Sequence, residues 1–88
     1  MGLPTPPLAT GTVAIDGTDV PIRSLSRDEV VRLADLDTTA AEVLIIASGT
    51  GVPADEAEAW RKAVDATTAR TLLDAIGVLS GLRKPGKA

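Results

Sequence analysis

The tetrapeptide at residues 26–29, Ser-Arg-Asp-Glu, restricts the fold more than any other segment, because it has the Ser-x-x-Glu form of a helix capping box. In that motif the serine and glutamate side chains bond each other's backbone N–H, so a helix begins at Arg27. Leu25 and Val30 are spaced as a hydrophobic staple around this start. The sequence therefore predicts that extended structure ends here and that helical structure follows.

The segment before the capping box predicts a short β-hairpin. Apolar residues alternate with others from residue 12 to residue 23, on both sides of the dipeptide Asp16-Gly17. Such a dipeptide supplies the positive φ angles of a tight hairpin turn. Pro21 has no N–H to donate, so we expect its strand to be an edge strand or this position to face away from the partner strand.

Two helices are predicted directly after the capping box. The first should end near Leu36-Asp37, with a buried stripe at Val30, Leu33 and Ala34. A second Thr-x-x-Glu pattern at residues 39–42 is expected to cap the apolar segment 43–47, and Gly49 suits its C-terminal cap. This segment is apolar on all sides, so a buried strand is the alternative. The helix-forming residues around it favour a helix.

The second half of the chain predicts two further helices. Residues 55–64 carry acids in the first turn and bases later, as the helix dipole favours, and they place Trp60 and Val64 on one face. The fourth helix should begin after one of the threonines at 67–68 and stop at residues 80–82 through a left-handed glycine. Its apolar residues recur at helical spacing: Leu72, Leu73, Ile76 and Leu79.

These elements form one small domain, since 88 residues do not accommodate a second. Trp60 is the only aromatic residue, so the core is aliphatic and marginal, and self-association would stabilise it. We expect a mainly α fold: a small bundle of about four helices preceded by a hairpin, over residues 12–82. A flexible Pro-rich arm at residues 1–11 and a basic tail at residues 83–88 flank this domain.

Composition excludes most enzyme mechanisms. The chain has no Cys and no His, which removes thiolate nucleophiles, histidine bases and nearly all transition-metal sites. Three of its nine basic residues lie in the tail, so residues 1–82 carry six bases against twelve acids, a net charge of −6. A nucleic-acid interface needs the opposite balance, and no apolar stretch is long enough for a membrane span or a signal peptide. We expect a cytoplasmic, non-enzymatic protein without metal, cofactor, nucleic-acid or membrane partners.

Three local patterns imitate functional motifs and have simpler explanations. The Gly-x-Gly-x-x-Ala at residues 49–54 resembles a dinucleotide fingerprint but lacks the strand and acid that should follow, so a capped turn is favoured. The acids within residues 55–58 are typical of a first helical turn rather than of a cation site. Ser26 stands where an acyl carrier protein holds its prosthetic group, but the Asp-Ser-Leu context is absent, so a helix cap is favoured.

Three segments carry a resemblance to a known family: the Thr-Gly-Val turn at residues 50–52, the acidic helix that ends at Trp60, and the Leu-Ser-Gly-Leu at residues 79–82. With the hairpin and the order of the helices, they resemble the short tail assembly chaperones of long-tailed bacteriophages, particularly those of high-GC hosts. The similarity covers roughly residues 13–82. None of these segments is a catalytic motif.

The resemblance implies a helical protein that binds the aggregation-prone tape measure protein and keeps it soluble while tail tube subunits polymerise around it. It also implies oligomers, a longer product made by ribosomal frameshifting, and action in the cytoplasm of the infected host without incorporation into the virion. A small structural virion component is the alternative, and a small regulatory module is a third hypothesis. The candidate partner contacts are Trp60, Val64, Leu72, Ile76 and Leu79, although the sequence favours a core position for each of them.

Overall fold

The computed structural model describes residues 2–82 and has the expected fold class, a helical domain preceded by an antiparallel hairpin. The elements are β1 (Thr10–Ile15), β2 (Thr18–Arg23), α1 (Arg27–Leu33), α2 (Thr38–Thr50), α3 (Ala54–Ala63) and α4 (Ala66–Leu79). The prediction of a helix rather than a strand at 43–47 is confirmed. β1 begins two residues earlier than expected, so the arm before it ends at residue 9. The predicted tail at residues 83–88 lies outside the described residues.

The hairpin turns as its sequence predicts. Asp16 and Gly17 both have positive φ, 51° and 76°, which matches the right-handed twist of the two strands. Ile15 and Thr18 form the pair beside the turn, and Pro21 lies in the fourth pair from it. Because hydrogen-bonded and non-hydrogen-bonded pairs alternate, the nitrogen of Pro21 faces away from β1, as expected.

The capping box at the start of α1 is formed. The Ser26 hydroxyl accepts a hydrogen bond from the Glu29 N–H at 3.2 Å, and a Glu29 carboxylate oxygen accepts one from the Ser26 N–H at 2.8 Å. The helix ends at Leu33 rather than near Leu36. Backbone bonds from residues 34–36 to the third residue before them form a tight turn, which leaves the next residue free to cap α2.

The N-terminal cap of α2 differs from the prediction. Asp37, not Thr39, is the cap, and its carboxylate accepts a hydrogen bond from the Ala40 N–H at 2.8 Å. Glu42 therefore does not complete a capping box. Instead it accepts a hydrogen bond from the Arg61 guanidinium at 2.6 Å, which joins α2 to α3.

The C-terminal cap of α2 also differs from the prediction. Gly51, with φ 82°, is the left-handed cap, whereas Gly49 is a buried residue inside the helix. A Cβ at Gly49 would lie 2.4 Å from Cδ1 of Ile76. Gly49 thus lets α4 approach α2 closely, which a local sequence pattern does not reveal.

The end of α4 is as predicted and its start is slightly earlier. Asp65 caps it, and hydrogen bonds from the Thr68 hydroxyl and N–H to this carboxylate lower its pKa. At the other end Gly81 has φ 75°, and the Leu82 N–H reaches back to the Gly77 carbonyl at 2.9 Å. This is the left-handed glycine stop that the sequence predicted.

The core lies where α2 and α4 meet the hairpin. α2 is central and contacts α1, α3, α4 and β2, while α4 also packs across both strands. Its buried apolar residues come from β2, the junction before α1, and the last three helices: Ile22, Leu25, Ile46, Ala57, Leu72 and Ile76. Within residues 2–82 no helix combines the length and apolarity that crossing a membrane requires.

Candidate partner-binding surface

Helix α3 holds the single tryptophan beside the core. Ala57 is fully buried, which brings this face of α3 against the rest of the domain. Trp60, three residues later, lies on the same face but is only half-buried. The acids Asp55 and Glu56 at the helix start and the bases Arg61 and Lys62 in its last turn complement the helix dipole.

Trp60 borders an apolar depression of about 130 Å³, here called the Trp60 pocket. It lies between the turn end of the hairpin, α2, the α2–α3 connection, α3 and α4. Seven of its nine lining residues are apolar: Ile15, Val20, Ile46, Val52, Ala57, Trp60 and Leu72, with Thr50 and Glu56 as the polar ones. Its volume is close to that of a cavity of ~150 Å³ that admits benzene. One branched aliphatic side chain therefore fits it.

The two polar residues leave the pocket apolar in character. The Thr50 hydroxyl donates to the Ile46 carbonyl at 2.7 Å, so it is satisfied within α2. Glu56 is exposed and carries a negative charge at the edge of the pocket. The arrangement can bind an apolar side chain and favours a neutral or basic neighbourhood around that side chain.

The predicted contact residues on α4 belong mainly to the core. Leu72 and Ile76 are buried, and Ile76 is fully enclosed because Gly49 of α2 packs onto it. Ile76 is therefore not part of the surface of the single chain, and Leu72 only contributes to the wall of the Trp60 pocket. Leu79 is half-buried and packs over Gly11 of β1.

Val64 lies apart from Trp60, although the spacing predicted one shared helical face. α3 ends at Ala63, and Val64 follows with extended backbone angles (φ −90°, ψ 161°). Its half-buried side chain lines a separate, polar groove with Asp65 and Arg70. The prediction of a common face is wrong because the helix ends one residue too early.

The most strongly perturbed carboxyl group lies elsewhere, at the hairpin–α1 junction. Hydrogen bonds from the Arg23 guanidinium, the Ser26 N–H and the Ser48 hydroxyl outweigh desolvation and lower the pKa of Glu29 to about 2. The two Arg23–Glu29 bonds are each 3.0 Å long. Because these partners already occupy its oxygens, Glu29 serves to hold the junction together.

The sequence pattern did not identify several of the residues that line the pocket. Ile15 and Val20 flank the hairpin turn, and their alternation correctly places them on the inner face. Val52 follows the cap of α2. Nothing local indicates that the hairpin turn and α3 meet, so these residues could be assigned to the core but not to a pocket.

No family model, curated protein or solved structure matches this chain. Within residues 2–82 the acidic side chains form no group of three that could hold a metal ion.

Proposed function

We propose that this protein is a phage tail assembly chaperone that acts by binding, not by catalysis. Its client is the tape measure protein, which it keeps soluble in the cytoplasm of the infected host until the tail tube forms. It assembles with further copies of itself, with a frameshifted longer form and transiently with tail tube protein, and it leaves before the virion is complete. The sequence resemblance supports this proposal.

The observation that carries the proposal is the Trp60 pocket. A long client that must not aggregate presents many apolar helix faces, and each offers aliphatic side chains of the size that this pocket accepts. Burying one such side chain contributes about 1.5–3 kcal/mol, which suits reversible binding at many points along the client. The net charge of −6 on residues 1–82 keeps the complex soluble.

Co-expression with the tape measure protein tests this proposal. We expect the wild-type chain to keep the client in the soluble fraction. Val52→Asp, which places a charge in the pocket wall, should abolish this effect. The matched control is Val31→Asp on α1, where the side chain is 50% exposed and lies outside the pocket. Circular dichroism establishes that both variants are folded. Equal solubilisation by the two variants would contradict the role of the pocket.

Expression from the native locus distinguishes the alternative function. A tag at the N-terminus should capture the tape measure protein and a longer, tag-bearing product, both identified by mass spectrometry. Capture of neither, together with the 88-residue chain in purified particles, would favour a structural virion component.

A further inference from the structure

The arm before β1, residues 2–9, exposes apolar side chains that the domain does not cover. Leu3 is 91% exposed and Leu8 is 39% exposed. Three prolines separate them, and the arm carries no charged residue. The arm also lies outside any helix or strand. The arm is therefore an apolar segment without charged side chains, and its leucines could be buried against another surface.

The base of the arm determines where it leaves the domain. The Ala9 N–H donates to the Ser24 hydroxyl at 3.1 Å, and the Ser24 N–H donates to the Ala9 carbonyl at 2.7 Å. The arm thus starts at the open end of the hairpin, whereas the Trp60 pocket lies at its turn end. These ends are about 17 Å apart along β1, at the usual rise of a strand.

We propose that the arm of one copy docks in the Trp60 pocket of a second copy, with Leu3 as the anchoring side chain. This pairing shares its pocket with the proposed function, but it needs no client. It would make the arm a competitor that covers the pocket until a client segment displaces it.

The chemistry of the arm and of the pocket is complementary. Proline-rich segments preorganise an extended backbone that docks on aromatic-lined apolar grooves, and this preorganisation lowers the entropy lost on binding. Leu3 provides the aliphatic side chain that a pocket of about 130 Å³ accepts. No side chain of residues 2–9 is charged, so Glu56 at the pocket edge repels none of them.

The length of the arm and the charge of the domain favour docking in the pocket of a second copy over docking in the pocket of the same chain. In an extended polyproline conformation the seven residues 2–8 reach about 22 Å, well beyond the ~8 Å screening length of physiological salt. Two bodies of net charge −6 can therefore be bridged without close contact between their acidic surfaces. To reach its own pocket the arm would have to reverse and run back along the hairpin, which its prolines oppose.

Disulfide trapping between single-cysteine variants tests the docking, since the chain has no cysteine of its own. We expect Gly2→Cys, which keeps the Leu3 anchor, mixed with Glu56→Cys to give a mixed disulfide dimer in several times the yield obtained with Gly2→Cys and Asp28→Cys. Asp28, like Glu56, is an exposed acid in the first turn of its helix, and it lies on α1 away from the pocket. Equal yields would overturn the proposal. So would a double variant, Gly2→Cys with Glu56→Cys, that closes its disulfide within a monomer at high dilution.

Trp60 provides a second measurement because it is the only fluorophore of its kind in the chain. With purified protein alone, its emission should shift to shorter wavelength as concentration rises, in step with dimer formation in sedimentation velocity. Leu3→Ser should move both transitions to about ten- to a hundredfold higher concentration, because it removes one buried aliphatic side chain. Leu82→Ser, at a 45% exposed leucine beyond α4, should leave them unchanged.

Unaltered association of the Leu3→Ser variant would refute docking through the arm. This outcome leaves the proposed function intact, because client solubilisation is measured separately with the Val52→Asp and Val31→Asp pair.

Discussion

The hairpin–α1 junction and the crossing of α2 with α4 are held together in opposite ways. Hydrogen bonds stabilise the junction. Glu29 accepts them from Arg23 and Ser26, and the Leu25 N–H donates to the Ser80 hydroxyl at 2.8 Å. Close packing stabilises the crossing, since the absence of a side chain at Gly49 makes room for the fully buried Ile76.

The two regions therefore differ in how well they tolerate substitutions. The junction has several bonds in parallel, and the partly exposed Arg23 and Glu29 side chains can bond to water when one of them loses its partner, so removing one bond has a limited effect. The crossing has no such substitute, because a close-packed contact between two helices tolerates neither a void nor an added atom. We therefore expect substitutions at the crossing to have the largest effects.

Ile76→Ala should have the largest effect on stability. It leaves a cavity at the centre of the crossing and should lower the free energy of unfolding by about 2–5 kcal/mol. Urea denaturation measures the change. Leu79→Ala, one turn later but only half-buried, is the control and should cost clearly less. Equal losses of unfolding free energy would mean that the crossing stabilises the domain no more than the rest of the core does.

Gly49→Ala should come next, with a loss of about 1–3 kcal/mol from overpacking. The sign is informative, because alanine in a helix interior is otherwise more stable than glycine by roughly 1 kcal/mol. In an Ile76→Val background, which removes the atom that the new Cβ would meet first, the loss should be smaller.

Gly11→Ala is the control for the Gly49 substitution. A Cβ there would lie 3.5 Å from Cδ1 of Leu79, an ordinary contact. A stabilising Gly49→Ala would show that α4 can move away from α2, and the close approach would then not define the crossing.

Glu29→Gln should lower stability at pH 7 by about 1–2 kcal/mol, a value discounted because the Arg23 side chain is partly exposed. The folded-state pKa of Glu29 is about 2, below its ordinary value of 4.5. Its contribution is therefore present above pH 4.5 and disappears as the pH falls towards 2. Urea denaturation at several pH values should show wild type and variant converging over this interval.

Asp28→Asn is the matched control for that pH dependence. Its ion pair with Arg32, at 3.0 Å, is mostly exposed to solvent and should contribute less than about 0.5 kcal/mol. If the stability difference between wild type and Glu29→Gln stayed constant down to pH 2, the Arg23–Glu29 pair would not stabilise the junction through charge.

Ser80→Ala should have the smallest effect of the four, about 1 kcal/mol. It leaves the Leu25 N–H without the hydroxyl that ties the junction to the end of α4. Thr71→Ala is the control, since its hydroxyl only bonds the Thr67 carbonyl on the exposed side of α4. Thermal unfolding compares the two, and a larger loss for Thr71→Ala would contradict a role for the Ser80 bond.

Local signals predicted the elements well wherever a single signal was present. Three of these signals depend only on interactions between residues close in the chain: the Asp16-Gly17 turn, the capping box at residues 26–29 and the left-handed Gly81. Predictions failed where two signals competed. Asp37 and Thr39 both suit a helix cap, and Gly49 and Gly51 both suit a helix end. The early end of α1 leaves Asp37 to cap α2, and the packing of Gly49 against Ile76 leaves Gly51 to end it.

The candidate site was less accessible to prediction than the fold. As the only aromatic residue, Trp60 is a candidate contact from the sequence, with a core position as the favoured alternative. Its neighbours Ile15 and Val52 come from distant parts of the chain, and neither alternation nor helical spacing relates them to α3. Leu72 and Ile76 have the same apolar spacing as a surface stripe would have, so periodicity did not separate core from contact.

The order of the elements, the hairpin turn, the start of α1 and the end of α4 follow from the sequence alone, because turn and capping chemistry acts between residues close in the chain. Three other features depend on packing between distant segments: Gly49 lies under Ile76, Val64 leaves the face of Trp60, and the hairpin turn completes a pocket. These outcomes depend on how volumes fit together across distant segments, and that information is spread over the whole chain.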